Sequence, residues 1–194
     1  MRLRGASAPA DWLIVGLGNP GPRYAGTRHN IGFDVAEALI ERWDLGKPKK
    51  KYQGLFAEGR AGFGPTAPRV AVLLPQTFMN EAGRSAGPAR GALKVDLDRV
   101  LVLHDEIDLP FGDIRARLGG GLAGHNGLKS LKAHLGSPDF ARVRIGVGRP
   151  DSTDPEIVAS WVLGRFAEPA ADVRDLVDRA RDIAEDLVLG RTTV

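Results

Sequence analysis

The chain has 194 residues, 43% of them hydrophobic and 26% charged, with a formal net charge of +3 and no cysteine. That length suits one ordinary domain able to bury a sizeable core, and the missing cysteine excludes disulfides and thiolate-bound metal. No apolar run approaches the ~20 residues a membrane helix needs, and the opening MRLRGASAPAD lacks a secretory apolar core, so a cytoplasmic protein is expected.

Residues 1–10 read as a disordered extension, with the folded domain spanning 11–194. The first strand is Trp12–Val15. After it, GLGNPGPRYAGTRHN carries Gly16, Gly18 and Gly21 at the spacing of a dinucleotide-binding loop. The context rejects that reading. A pyrophosphate loop passes straight into a helix, with an acidic residue ~20 positions on for the ribose. Here Pro20 and Pro22 impose an irregular turn to about Thr27. Helical periodicity begins only at Ile31, through Val35, Leu39 and Trp43, and Glu37 and Glu41 lie inside that helix. The turn instead delivers His29 and Asn30 to a helix start. The positive end of a helix disfavours imidazolium, and a neutral histidine is the form a general base requires.

Lys47–Lys51 reads as a solvated loop, followed by strands Gly54–Glu58 and Arg69–Leu74. PQTFMNEAG then gives an apolar Phe78-Met79 wall and Asn80 as N-cap of a weaker helix reaching about Leu93. Strand Val100–His104 runs into four ionisable groups, His104, Asp105, Glu106 and Asp108. A carboxylate at the carboxyl end of a central strand is where an α/β enzyme orients its base. These residue types also permit metal binding, but their spacing matches no metal motif. Beyond strand Asp113–Leu118, five glycines (119, 120, 121, 124 and 127) surround His125 and Asn126 at the start of a helix carrying Leu128, Leu131 and Leu135. Such glycines let amides approach a ligand. Strand Arg142–Val147 and an amphipathic helix, Asp172–Leu189, complete the chain. The alternation predicts an α/β fold with a mixed, largely parallel sheet covered on both faces. Its chemistry is expected just after Val15, Leu74, Leu103 and Leu118.

Of the 27 basic residues 20 are arginine, which suits either a G+C-rich genome or bidentate phosphate binding. Position favours phosphate. Arg115 and Arg117 share one strand face, as do Arg142 and Arg144, and Lys129 and Lys132 share a helix face. Together they fit a polyphosphate backbone.

The ordered segments LIVGLGNPG, TRHNIGF, PQTFMNEAG, VLHDEIDLPFG, LGGGLAGHNGLKS, RVRIGVGRP and WVLGRF resemble the bacterial peptidyl-tRNA hydrolase family over about Trp12 to Phe166. The resemblance implies a single-domain α/β/α sandwich. It also implies hydrolysis of the ester joining a peptide to the 3′-terminal ribose of tRNA, with no metal or cofactor. By motif, His29 is then the base and Asp105 its orienting carboxylate. Asn19 and Asn126 hold the peptide and the attacking water or carbonyl oxygen, and Asn80 positions water and the terminal adenosine. Met79 and Tyr24 line the groove, where Phe78, Gly124 and His125 are further substrate-contacting candidates. Arg117 and Arg144 match a tRNA phosphate clamp, with Arg115 and Lys129 beside it. Two departures stand out: Leu122 and Ala123 replace the usual Gly, Ser or His, placing an apolar side chain on a mobile lid, and the chain ends soon after its last helix at LGRTTV. A monomer whose partner is tRNA is expected. The alternatives are a non-catalytic RNA-binding paralogue and a metal-dependent hydrolase using His104–Asp108.

Overall fold

The computed structural model describes residues 8–194. Its sheet comprises β1 (Trp12–Gly16), β2 (Lys49–Lys51), β3 (Gly54–Arg60), β4 (Arg69–Pro75), β5 (Val100–Glu106), β6 (Ile114–Leu118) and β7 (Ala141–Gly146). They lie in the order β2-β3-β4-β1-β5-β7-β6. The four inner strands β4-β1-β5-β7 are parallel, while β2, β3 and β6 are antiparallel to their neighbours.

Helices α1 (Ile31–Arg42) and α5 (Ala170–Val188) cover one face, against Ile14, Val72, Leu101, Leu103, Val143 and Ile145. Helices α2 (Gly83–Leu93) and α3 (Asn126–Leu135) cover the other, against Leu13, Val15, Leu73, Val102 and Phe140. Alternate residues of one strand thus enter opposite cores, which is why the inner strands read as unbroken apolar runs. This is the expected α/β/α sandwich.

Three elements depart from the sequence expectation. Lys49–Lys51 is an edge strand, not a loop; lysines on an edge discourage further strand pairing. A short helix, α4 (Pro155–Val162), is opened by Asp154, whose carboxylate accepts from the Glu156 N–H at 2.9 Å. Strand β6 runs antiparallel to β7, so its carboxyl end lies at the opposite sheet edge from the ends of β1, β4 and β5. The glycine-rich segment after Leu118 therefore runs back across the strands, and Arg142 Nη1 tethers it by donating to the Gly121 carbonyl at 2.9 Å.

The proposed N-terminal extension lies mostly outside the described residues. Of its described part, Ala10 donates its N–H to Leu93 O at 3.2 Å.

From β1 the chain crosses to one side of the sheet, and from β5 to the other. The crevice of a doubly wound sheet forms at such a reversal. Here it lies over the carboxyl ends of β1 and β5.

Candidate active site

His29 reaches that crevice from a single 3₁₀ turn, Arg28–Asn30, immediately before α1. Its approach depends on Gly32, where a Cβ would fall 2.3 Å from the Leu103 carbonyl oxygen and 2.6 Å from that of Leu17. Gly16 is the reciprocal position, its Cβ falling 2.5 Å from Gly32 O. The first glycine of the supposed nucleotide loop thus serves helix–strand contact.

Asn30 precedes α1, but its side chain caps nothing. It instead clasps the loop after β1: Oδ1 accepts from Asn19 N–H at 2.8 Å, and Nδ2 donates to Asn19 O at 2.9 Å. Asn19 Oδ1 in turn accepts from Met79 N–H at 2.7 Å. With its oxygen committed, the Asn19 amide keeps Nδ2 as a donor.

Asp105, only 2% exposed, is shared by two histidines. His29 Nδ1 lies 2.8 Å from Oδ2, and His125 Nε2 lies 2.8 Å from Oδ1. The tautomers follow. His125 caps α3, its Nδ1 accepting from Gly127 and Leu128 N–H at 3.1 and 3.3 Å. Its proton therefore sits on Nε2 and is donated to Asp105. His29 donates Nδ1–H to the other oxygen, and its Nε2 keeps a lone pair. The ring lines a cleft of about 460 Å³ with His125, Gly124, Asn126 and the α4 residues Val158 and Val162.

Burial pushes the Asp105 carboxyl up, but the charges and hydrogen bonds of His29 and His125 outweigh it and hold it well below the usual range. Burial lowers His29 as well. The Asp105 charge and hydrogen bond exceed that effect, so its pKa ends above the ordinary 6.5. The expectation that a helix start keeps His29 neutral is therefore corrected: a buried carboxylate at contact outweighs half a dipole charge. His104 is a core residue, pushed down to about 3 chiefly by burial. Its Nδ1 donates to Asp105 O at 2.8 Å.

His29, Asp105 and His125 place ligand atoms within 4.8 Å of one another. A cation there would need the Nε2 lone pair of His125, hence a proton on Nδ1 pointing at two helix amides. The donor set does not fit a metal. The remaining ionisable groups at the carboxyl end of β5 and in the turn after it are also engaged: Glu106 with Arg144 at 2.9 Å, and Asp108 with Arg149.

Other predicted residues divide by environment. Met79 is buried, with its sulfur 2.5 Å from where a Gly127 Cβ would fall, so close packing explains that glycine. Phe78 is 57% exposed, Tyr24 is half-buried and Asn126 is exposed. Asn80, also exposed, lies within a 3₁₀ turn (Met79–Glu81) and caps neither that turn nor α2. Leu122 packs against the α2/α3 core rather than projecting from a lid. Arg115 opposes Arg144, and Arg117 opposes Arg142, across the β6–β7 pair. All four share the α3 face, because Ala141, Val143 and Ile145 face the other core. Arg142 is buried, whereas Arg115, Arg117 and Lys129 are exposed.

Sequence reasoning missed the Asn30 clasp, the His125–Asp105 bond and the α4 wall. Arg28 holds that wall, stacking 3.6 Å over the Trp161 ring and donating Nη1 to Trp161 O at 2.9 Å.

An imidazole oriented by a buried carboxylate at the mouth of a cleft is the arrangement of enzymes that use a histidine as general base. Comparison with known proteins narrows that class. The peptidyl-tRNA hydrolase family profile matches residues 13–193. A peptidyl-tRNA hydrolase of Novosphingobium aromaticivorans is 48% identical over 91% of this chain and 88% of its own. That of Halalkalibacterium halodurans is 44% identical over 89% and 91%. The crystal structure of the Acinetobacter baumannii peptidyl-tRNA hydrolase superposes with a TM-score of 0.80 at 38% identity, covering 96% of this chain and 93% of that one. The chain belongs to the peptidyl-tRNA hydrolase family.

Proposed function

We propose that the protein hydrolyses the ester between a peptide and the 3′-terminal ribose of tRNA, with His29 as general base. The observation that carries this is the pairing of His29 Nδ1 with Asp105 Oδ2 at 2.8 Å, which leaves Nε2 as the one basic atom of a ring lining the cleft. His29 Nε2 takes a proton from water as the oxygen attacks the ester carbonyl. The imidazolium is stabilised by Asp105, and the developing oxyanion receives donors from the Asn19 and Asn126 amides. Collapse breaks the acyl–oxygen bond, and His29 returns the proton to the ribose oxygen. The products are a free peptide acid and a tRNA with its hydroxyl restored.

Asn80, Tyr24, Phe78 and Met79 are assigned to the substrate-binding groove. Arg117, Arg115, Arg144 and Lys129 are assigned to phosphates of the acceptor stem. Arg144 Nε is held by Glu106, which orients its remaining donors without using them. The protein acts as a monomer in the cytoplasm, where its substrate arises.

The test is release of tRNA from N-acetyl-aminoacyl-tRNA, with and without chelator. Turnover is expected to survive chelation, and His29→Ala to lower kcat by at least about 10³-fold with tRNA affinity retained. No turnover by the wild-type protein leaves the RNA-binding alternative; loss on chelation favours the metal one.

A further inference from the structure

Residues of α4 give the cleft beside His29 an apolar wall, yet five titratable side chains also line it: His29, Asp105, Glu106, His125 and Arg149. Four of them are accounted for. Asp105 gives its two carboxylate oxygens to His29 and His125, and the other nitrogen of His125 caps α3. The other nitrogen of His29 is the base assigned above. Glu106 accepts from Arg144 Nε at 2.9 Å and from the Asp108 N–H at 3.5 Å. Arg149 keeps donors in hand: Nη2 donates to Asp108, while Nε and Nη1 have no partner among the described residues. Asp108 does not line the cleft. The cleft therefore meets the cation of this exposed pair and not its counter-ion.

The backbone beneath Arg149 is fastened on two sides. Val147 donates its N–H to the Glu106 carbonyl at 3.0 Å, and Gly148 donates to that of Leu109 at 2.9 Å. Both bonds tie the segment to the end of β5 and the turn after it. From α4, Trp161 Nε1 donates to the Gly148 carbonyl at 2.9 Å. A guanidinium rooted in a fixed segment has less freedom to lose on meeting a ligand. Its planar donors match the two oxygens of a carboxylate.

We propose that Arg149 makes the cleft selective for charge in the acyl chain. It favours a peptide with a carboxylate on the residue next to the esterified one, and disfavours an ammonium there. The reach fits. The eight residues of α4 span about 12 Å, the length of roughly three or four extended residues. A chain that starts at His29 thus keeps its esterified residue and that neighbour inside the cleft. The inference rests on the esterase reading above. Because exposed ion pairs contribute little to stability, substitutions at Arg149 and Asp108 test recognition rather than folding.

The experiment uses leucyl-tRNA acylated on its α-amine with three groups of similar length. Succinyl ends in a carboxylate, succinamoyl in its neutral amide, and 4-aminobutanoyl in an ammonium. All three substrates share the tRNA, so ratios of kcat/KM between them cancel the phosphate contacts. At low salt the wild type is expected to favour succinyl over succinamoyl about fivefold, with 4-aminobutanoyl below both. That preference shrinks as salt screens the charge. Arg149→Gln keeps hydrogen-bond donors but loses the cation, and brings the ratio to about one. Asp108→Asn keeps an acceptor for Nη2 and removes the competing anion, so the ratio rises above that of the wild type, a gain that misfolding cannot produce. A wild-type ratio near one at low salt overturns the assignment, as does an Arg149→Gln protein that keeps the wild-type ratio. So does a rise in KM by one common factor on all three substrates with the ratio intact, which would give the guanidinium to the tRNA. Failure of the wild type to hydrolyse any of the three counts against the esterase reading, whereas equal turnover of all three counts against Arg149 alone.

Discussion

Asp105 gives one oxygen to His125 and the other to His29, and this division sets the pH dependence of the reaction. The carboxylate raises His29 above 6.5 while burial alone would lower it. Catalysis needs the neutral ring, so kcat/KM should rise with pH through a pKa above 6.5 and fall at acid pH as the imidazolium forms. The sign for stability is opposite: the raised pKa stabilises the fold below the unfolded-state value and is lost as pH rises through the folded one. In Asp105→Asn the charge is gone and burial remains. The acid limb of the pH–rate profile should then move below 6.5, with kcat down by about 10²–10⁴-fold. An acid limb that stays in place while kcat drops would show that another group titrates. His29 and Asp105 are legible in the sequence because one stands just before an apolar helical pattern and the other ends an apolar strand. The bond from His125 to Asp105 is not, since residues 20 apart carry no local signal of a hydrogen bond; the sequence reading gives His125 to the substrate instead.

Helix α3 is where that bond becomes mechanical. His125 is at once the cap of the helix and a ligand of Asp105, so the helix start fixes the carboxylate that fixes the base. Asparagine caps a helix as well as any residue but is too short to preserve both contacts. His125→Asn should therefore keep Tm within a few degrees while lowering kcat about tenfold, with tRNA affinity little changed. His125→Ala should lose the cap too, at a further cost of about 1 kcal/mol read by denaturant unfolding. A His125→Asn enzyme with wild-type kcat would reduce the residue to a structural cap. Other elements show which patterns a sequence can carry. The parallel strands are unmistakable because both faces are buried. Strand β2 is hidden by its three lysines, since an edge strand needs no apolar face. Helix α4 is hidden because it buries no residue fully; it serves as a wall, not a core element. The direction of β6 is invisible to any local pattern, being fixed only by its pairing with β7.

Across the whole molecule, a net charge of +3 conceals an uneven distribution. On α5, Arg179 pairs with Asp175 and Arg181 with Asp178, and Arg42 of α1 reaches Glu185 and Asp182. These cations are largely neutralised by their neighbours, and exposed pairs of this kind contribute little to stability. On the opposite sheet face, Arg115 and Arg117 enter no ion pair among the described residues, and Lys129 is exposed on the adjoining helix. The β6 arginines therefore present positive charge on the α3 face of the sheet, whatever the total. Each phosphate neutralised on binding adds about 0.9 to the slope of log K against log[salt] for a duplex such as the acceptor stem. Arg117→Ala should weaken tRNA binding across all sequences and reduce that slope by about one. Arg179→Ala, which removes an equal charge from α5, should leave both unchanged. Arg144→Ala is the less clean probe, because it also unpairs the buried Glu106. A slope unchanged at Arg117 but reduced at Arg179 would put the acceptor stem on the α1/α5 face, away from the arginine ladder.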